Sequence, residues 1–333
     1  MHVVITGAGG FLGRKLAARV AAAGAVGPRA VTAMTLVDLA APLAPAAPFP
    51  IETCVGDIAD PGLCSRLIRP ETALVLHLAA VVSAAAEADF ALGWRVNLDG
   101  TRALLEACRE RGRCPRVVFA SSVATFSGGQ DALILDHTRP VPANSYGAQK
   151  AAGELLVHDW TRKGYVDGVS LRLPTVVVRP GRPNRAASSF ASSILREPLV
   201  GEEAELPVGE DFALWIASPR AAADWLLHAA GLDGARLGLD RGINPPGLTV
   251  TVGEMLAALA RAAGAEARAR VRRVRDAEVE AIVGTWPARF DSARARALGF
   301  RAADTIEETI RAFLAEDFEE TKALRQAAYT KSH

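Results

Sequence analysis

The chain has little lysine, little tyrosine, few cysteines and no excess of either charge. Lys and Arg number 38 against 37 Asp and Glu, for a formal net charge of +1. No bulk field therefore draws it to nucleic acid or to an anionic membrane surface. Its four cysteines, Cys54, Cys64, Cys108 and Cys114, form no C-x-x-C pair and no cluster with histidine at zinc-ligand spacing. Free thiols in a reducing, cytoplasmic setting and no metal site are the expectation. The longest uncharged stretch beside a strand, 72–86, has 15 residues and contains His77; it is too short to cross a bilayer. No basic region precedes the first apolar run, which meets glycines at once, so the start does not read as a signal peptide. Only 5 of the 38 cations are lysine and only 3 residues are tyrosine, whereas alanine numbers 65. A lysine or tyrosine in this chain departs from its compositional habit.

What is present is a two-part pattern. A length of 333 residues predicts two domains, or one with an elaborated second lobe, at about 150 residues per domain. Strand-like segments at 2–6, 31–37, 51–55, 73–78, 116–120 and 169–173 alternate with helical patterns that include 60–68, 90–110 and 145–163. Parallel neighbours need a crossover and the crossover is usually a helix, so the fold class is α/β with a doubly wound parallel sheet. Beyond 173 the regularity weakens: 179–184 and 198–209 are loops, 214–216 is expected to return to the sheet, and 219–230 is helical. From 252 onward the pattern is mostly amphipathic helix rich in arginine.

Gly7-x-x-Gly10-x-x-Gly13 stands between the first strand and the first helix. That placement lets the backbone turn tightly and approach a pyrophosphate, with the helix N-terminus facing it. Asp38 ends the second strand, where a carboxylate binds ribose hydroxyls and repels a 2′-phosphate; NAD is expected over NADP. Asp57 and Ile58, after the third strand, are candidates to bracket the adenine.

Tyr146-x-x-x-Lys150 opens a helix and puts a phenol and an ammonium on one face. A free phenol ionises near pH 10, and a neighbouring cation favours the phenolate, making Tyr146 a candidate general base. Ser122 leaves the fifth strand at its C-terminal end, where a hydroxyl can hydrogen-bond a reacting oxygen. Arg179, Arg182 and Arg185 cluster where the second lobe begins, and a guanidinium can grip a carboxylate. Arg289 is a further candidate, and Trp215 and Trp286 could wall a pocket or fill the core.

Together these residues, with Leu78-Ala79-Ala80 and Asn97 in Val96-Asn97-Leu98-Asp99-Gly100-Thr101, resemble the extended short-chain dehydrogenase/reductases over essentially the whole chain. The resemblance implies a Rossmann domain over 1–178, with a return segment near 212–243, and a mostly helical substrate lobe over 179–211 and 244–333. It makes Ser122, Tyr146 and Lys150 the catalytic trio. Gly7, Gly10, Phe11, Leu12, Gly13, Asp38, Asp57, Ile58, Leu78, Ala79, Ala80, Asn97, Tyr146, Lys150, Pro174 and Val176 become the NAD contacts. Ser122, Tyr146, Arg179 and Asn184 become the substrate contacts, with Asn97 also holding the site's architecture. A homodimer through the 90–110 and 145–163 helices is implied as well. The stretch 171–190 lacks the Arg-x-x-Asn-x-Tyr-Gly-Pro of sugar-nucleotide epimerases. With Gly284-Thr285-Trp286-Pro287 it is similar to family members that oxidise a four-carbon sugar acid, D-erythronate, at C2. An epimerase or dehydratase acting on a nucleotide sugar would use the same trio and stays open, as does a cofactor-sensing binding protein. The intact Tyr-x-x-x-Lys argues against a pure sensor.

Overall fold

The computed structural model describes residues 1–329 except 112, 130–131 and 182–187. Asn184, Arg182 and Arg185 lie outside the described residues. A seven-stranded sheet runs through the molecule. Its strands are β1 (His2–Thr6), β2 (Ala33–Asp38), β3 (Ile51–Val55), β4 (Thr72–His77), β5 (Arg116–Ser122), β6 (Asp167–Leu173) and β7 (Gly242–Ile243). The order across the sheet is β7-β6-β5-β4-β1-β2-β3, and every pairing is parallel. Chain order reverses between β1 and β4, and in such sheets a crevice opens there beyond the carboxyl ends of the strands.

Helix α1 (Phe11–Ala23) is alanine-rich and buries Gly13, Leu16, Ala17, Val20 and Ala21, a stripe at helical spacing. It ends at Gly24 in the left-handed region, whose N–H bonds the Val20 carbonyl, a C-terminal cap that needs no Cβ. The expected 90–110 helix is interrupted. Phe90–Gly93 is α-helical, Trp94–Asp99 widens into a π-helical turn, and α2 (Gly100–Arg111) resumes. Such widened turns displace one side chain from the regular ladder and are common at functional sites; here the turn carries Asn97. Helix α3 (Ser145–Arg162) starts at Asn144, whose side chain accepts the Gly147 N–H at 2.8 Å, a favoured N-cap.

Leu214–Ile216 does not return to the main sheet. It lies in Ala213–Ala217, which pairs with Thr175–Val176 and, antiparallel, with Leu248–Thr251 in a separate three-stranded sheet. The strand that does return is β7, beside β6. A short apolar run fits either sheet edge, and only the tertiary pairing decides. Two apolar clusters cover the faces of the main sheet, one including Val3, Leu36 and Trp225, the other Val4, Cys108 and Phe119. A third gathers Val178, Leu195, Leu214, Leu256 and Phe313 from the later chain. Among the described residues no helix is long and apolar enough to cross a membrane, and no group of three or more His, Cys, Asp or Glu could hold a metal.

Candidate active site

A cavity of about 480 Å³ opens beyond the C-terminal ends of the main-sheet strands. Its glycine end is shaped by main chain. Gly7 has φ +70, and a Cβ there would sit 2.7 Å from the Ala79 nitrogen; one on Gly13 would sit 2.2 Å from the Gly7 carbonyl oxygen. Only glycine permits the turn and lets α1 come this close to the sheet. Gly10, at the N-cap of α1, makes no side-chain cap, so the first-turn N–H groups are free to meet an anion in the cavity. Asp38 accepts the Gly9 N–H at 2.9 Å and the Leu39 N–H at 2.7 Å, which holds its carboxylate on the cavity wall.

Of the expected cofactor contacts, Gly7, Gly10, Phe11, Leu12, Gly13, Asp38, Asp57, Ile58, Leu78, Ala79, Ala80, Tyr146, Lys150, Pro174 and Val176 all line this cavity. Asn97 does not. It is buried behind the wall, where its Oδ1 accepts the Val81 N–H at 2.7 Å and its Nδ2 donates to the Val81 carbonyl at 3.0 Å and to Gln149 Oε1 at 2.7 Å. Its place is that of a brace between the wall and α3. Asp57 is on the wall but engaged: it pairs with Arg95 and accepts the Ala59 N–H. Burial opposes its charge, yet those bonds prevail and keep its carboxyl below the usual range.

At the other end stand Ser122, Tyr146, Lys150 and Arg179. α3 reaches them because Gly147 packs on β5's exit: a Cβ there would lie 2.2 Å from the Ala124 carbonyl oxygen. The Tyr146 phenol and the Ser122 hydroxyl stand on the same part of the cavity wall, and Ser122 Oγ accepts the Ala124 N–H at 3.2 Å. Lys150 Nζ lies 5.8 Å from the centre of the Tyr146 ring and 4.7 Å from that of Phe119. Burial pushes the phenol above its ordinary value, opposed by the Arg179 guanidinium and the Ser122 hydroxyl. Burial likewise pushes Lys150 down to about 7, with Glu154 pulling the other way. Two cations thus share this end of the cavity with the phenol, Lys150 on the same helix and Arg179, itself pushed down to about 10 by burial. Arg179 Nε donates to the Val176 carbonyl at 3.0 Å and its Nη2 to Ser188 Oγ at 3.2 Å.

Trp286 lines the cavity, whereas Trp215 is buried and stacked on Phe290 at 3.8 Å, and Arg289 is exposed away from the wall. Sequence reasoning missed the layer beneath Lys150. Glu154 accepts Ser121 Oγ–H and is gripped bidentately by Arg172, whose Nη2 lies 2.7 Å from its Oε2. The signal was available, because Tyr146, Lys150 and Glu154 continue one i, i+4 row. His77, between Thr6 and Thr101, was also missed; burial lowers it to about 3, so it stays neutral.

A strand–glycine turn–helix with free first-turn amides, a carboxylate at the second strand's end and a Ser, Tyr, Lys set across the sheet belong to one class of protein. The sequence pattern of the NAD dependent epimerase/dehydratase family matches residues 3–215, and the chain belongs to that family; its cofactor is NAD. Among individual proteins, it is 50% identical to a D-erythronate dehydrogenase of Cupriavidus necator over 318 residues, 94% of this chain and 98% of that one. It is 41% identical to a D-erythronate dehydrogenase of Haemophilus influenzae over 95% of this chain and 100% of that one. A solved structure described as a nucleoside-diphosphate-sugar epimerase from Agrobacterium tumefaciens superposes with a TM-score of 0.91 at 43% identity, covering 96% of this chain and 95% of that one.

Proposed function

We propose that this enzyme oxidises the C2 hydroxyl of a small sugar acid, D-erythronate, to the 2-oxo acid. The observation that carries this reading is the meeting of Ser122, Tyr146, Lys150 and Arg179 at one end of the cavity. In a 2-hydroxy acid the carbinol carbon is bonded directly to the carboxyl carbon. A site for it therefore needs a cation beside the base, so that one molecule reaches both. Arg179 holds the carboxylate and Ser122 donates to the C2 oxygen. Tyr146, as phenolate, takes the hydroxyl proton. NAD supplies the hydride acceptor, and its positive ring adds to the charge that favours the phenolate. Lys150 sits under the phenol, where an ammonium can bond a ribose hydroxyl as its proton count allows. Gly7, Gly10, Gly13 and the α1 amides take the pyrophosphate, and Asp38 the adenosine ribose. The similarity to two D-erythronate dehydrogenases over nearly the whole chain supports the choice of acid.

The same reading gives residues 1–178 and 212–243 to cofactor binding and the rest to a substrate lobe, although Val177, Val178, Leu214 and Ile216 pack in the later chain's apolar cluster. It also places the enzyme in the cytoplasm as a homodimer. Phe90 and Leu155, 63% and 70% exposed on the two helices expected to pair, support the dimer.

The test mixes protein, NAD and D-erythronate and follows absorbance of the reduced cofactor. Sustained reduction is expected. Reduction only with another 2-hydroxy acid would keep the chemistry and lose the substrate. The likeness to the described epimerase favours a second reading: conversion of a nucleotide sugar with no net reduced cofactor would establish it instead.

A further inference from the structure

The segment that carries Arg179 is held from behind by groups far along the chain. Its backbone finds its partners in side chains. The Arg179 N–H donates to Ser192 Oγ at 3.0 Å, and the Arg179 carbonyl accepts Arg196 Nη1 at 2.8 Å. Two residues on, the Gly181 N–H donates to Thr321 Oγ1 at 3.1 Å and its carbonyl accepts Arg325 Nη2 at 3.3 Å. The two guanidiniums share one carboxylate. Glu197 Oε1 lies 2.7 Å from Arg196 Nη2 and 3.0 Å from Arg325 Nη2. Arg196 is 1% exposed and Glu197 5%. Thr321 and Arg325 stand on the helix Phe318–Tyr329, which is fixed in turn to α1: Glu320 pairs with Arg14, and Asp317, just before it, lies 3.2 Å from Lys15 Nζ.

Burying a carboxylate between two guanidiniums is a poor route to stability, since desolvation offsets most of the attraction. What such a cluster supplies is fixed geometry, and here the geometry it fixes is that of the Arg179 backbone. We infer that Arg196, Glu197, Thr321 and Arg325 are positioning residues that hold the Arg179 guanidinium at the Tyr146 end of the cavity, so the C-terminal helix sets affinity for the substrate carboxylate. This rests on the reading of Arg179 as the carboxylate's partner.

Arg325→Gln leaves Glu197 paired with Arg196, and Thr321→Val removes one hydrogen bond without burying a charge. Each variant should raise KM for D-erythronate by about tenfold, the scale of a guanidinium displaced by a fraction of an ångström, with kcat within about twofold. Kd for NAD, titrated by protein fluorescence, should not move, and Arg325→Lys should recover part of the loss. In an Arg179→Gln background, which itself raises KM, Arg325→Gln should add nothing, because both act through one contact. If Arg179→Gln raises KM while neither Arg325→Gln nor Thr321→Val does, the positioning role is wrong and the Arg179 reading survives. If Arg179→Gln leaves KM unchanged, the reading beneath it fails, and the inference with it. Additive effects, or equal loss of NAD affinity, would also overturn it.

Discussion

At the glycine end of the cavity the walls are main chain and small side chains, whereas at the arginine end they are long charged side chains whose supports come from distant parts of the sequence. Gly7, Gly10 and Gly13 lie within one turn of each other and act through backbone closeness and free N–H groups. Arg179 depends on Ser192, Arg196, Glu197, Thr321 and Arg325, the last nearly 150 residues away. A backbone device can be written in seven consecutive residues. A side-chain device of this kind is written only in three dimensions. Tyr146, Ser122 and Lys150 share the arginine end, and the sharpest test separates the two ends. Tyr146→Phe should lower kcat by about a thousandfold, within the range ascribed to a positioned base. Kd for NAD should stay within a few-fold, because the glycine turn and Asp38 are untouched. A fall of less than tenfold would remove Tyr146 as the base; a matching loss of NAD affinity would show that the two ends are not separable.

That contrast also explains what could be read from the sequence. The alternation of strands and helices, the glycine turn and Asp38 are local patterns, and the structure places them at one sheet edge. The Tyr-x-x-x-Lys pair is local too, since one helix carries both groups. Asn97 was legible, through the resemblance, as holding the site's architecture, but not how it does so; that depends on a π-helical turn that no periodicity announces and on Val81, 16 residues earlier. Arg172 and Arg196 look like any other arginines in a chain that uses arginine for most of its cations. Arg172 meets Glu154 across two elements, and Arg196, though next to Glu197 on one helix, is buried by what packs over that helix. Residues 214–216 lie in a different sheet from the one expected for the same reason: a continuous buried apolar run marks a strand, but its partners come from 175–176 and 248–251.

Asp38 sharpens the glycine end. The carboxylate is held by the Gly9 and Leu39 amides, and Asn can keep the Gly9 bond while removing the charge. Asp38→Asn should lower the preference for NAD over NADP, read as the ratio of kcat/KM values, by about tenfold, or 1.4 kcal/mol of discrimination. KM for the sugar acid should be unaffected. An unchanged ratio would mean that the second strand's end does not face the ribose.

The smallest effect expected lies in Lys150. Its ordinary value of 10.5 is pushed down to about 7 by burial, so the folded protein holds that proton less tightly than the unfolded chain does. Below about pH 7 the buried ammonium must be kept charged, and the whole penalty falls on the folded state. Between pH 7 and 10.5 the unfolded chain binds more protons than the folded one, so stability rises with pH and the penalty disappears. Lys150→Met keeps the volume and removes the charge, while Glu154 retains Arg172 and Ser121. Without added NAD, the variant should melt about 2 °C higher than the parent at pH 6.5, a gap that closes by pH 10. A gap that does not change with pH would locate the gain in packing instead. A stabilised but inactive variant would mean that the folded state carries a desolvated ammonium at a cost in stability, because the chemistry needs it there.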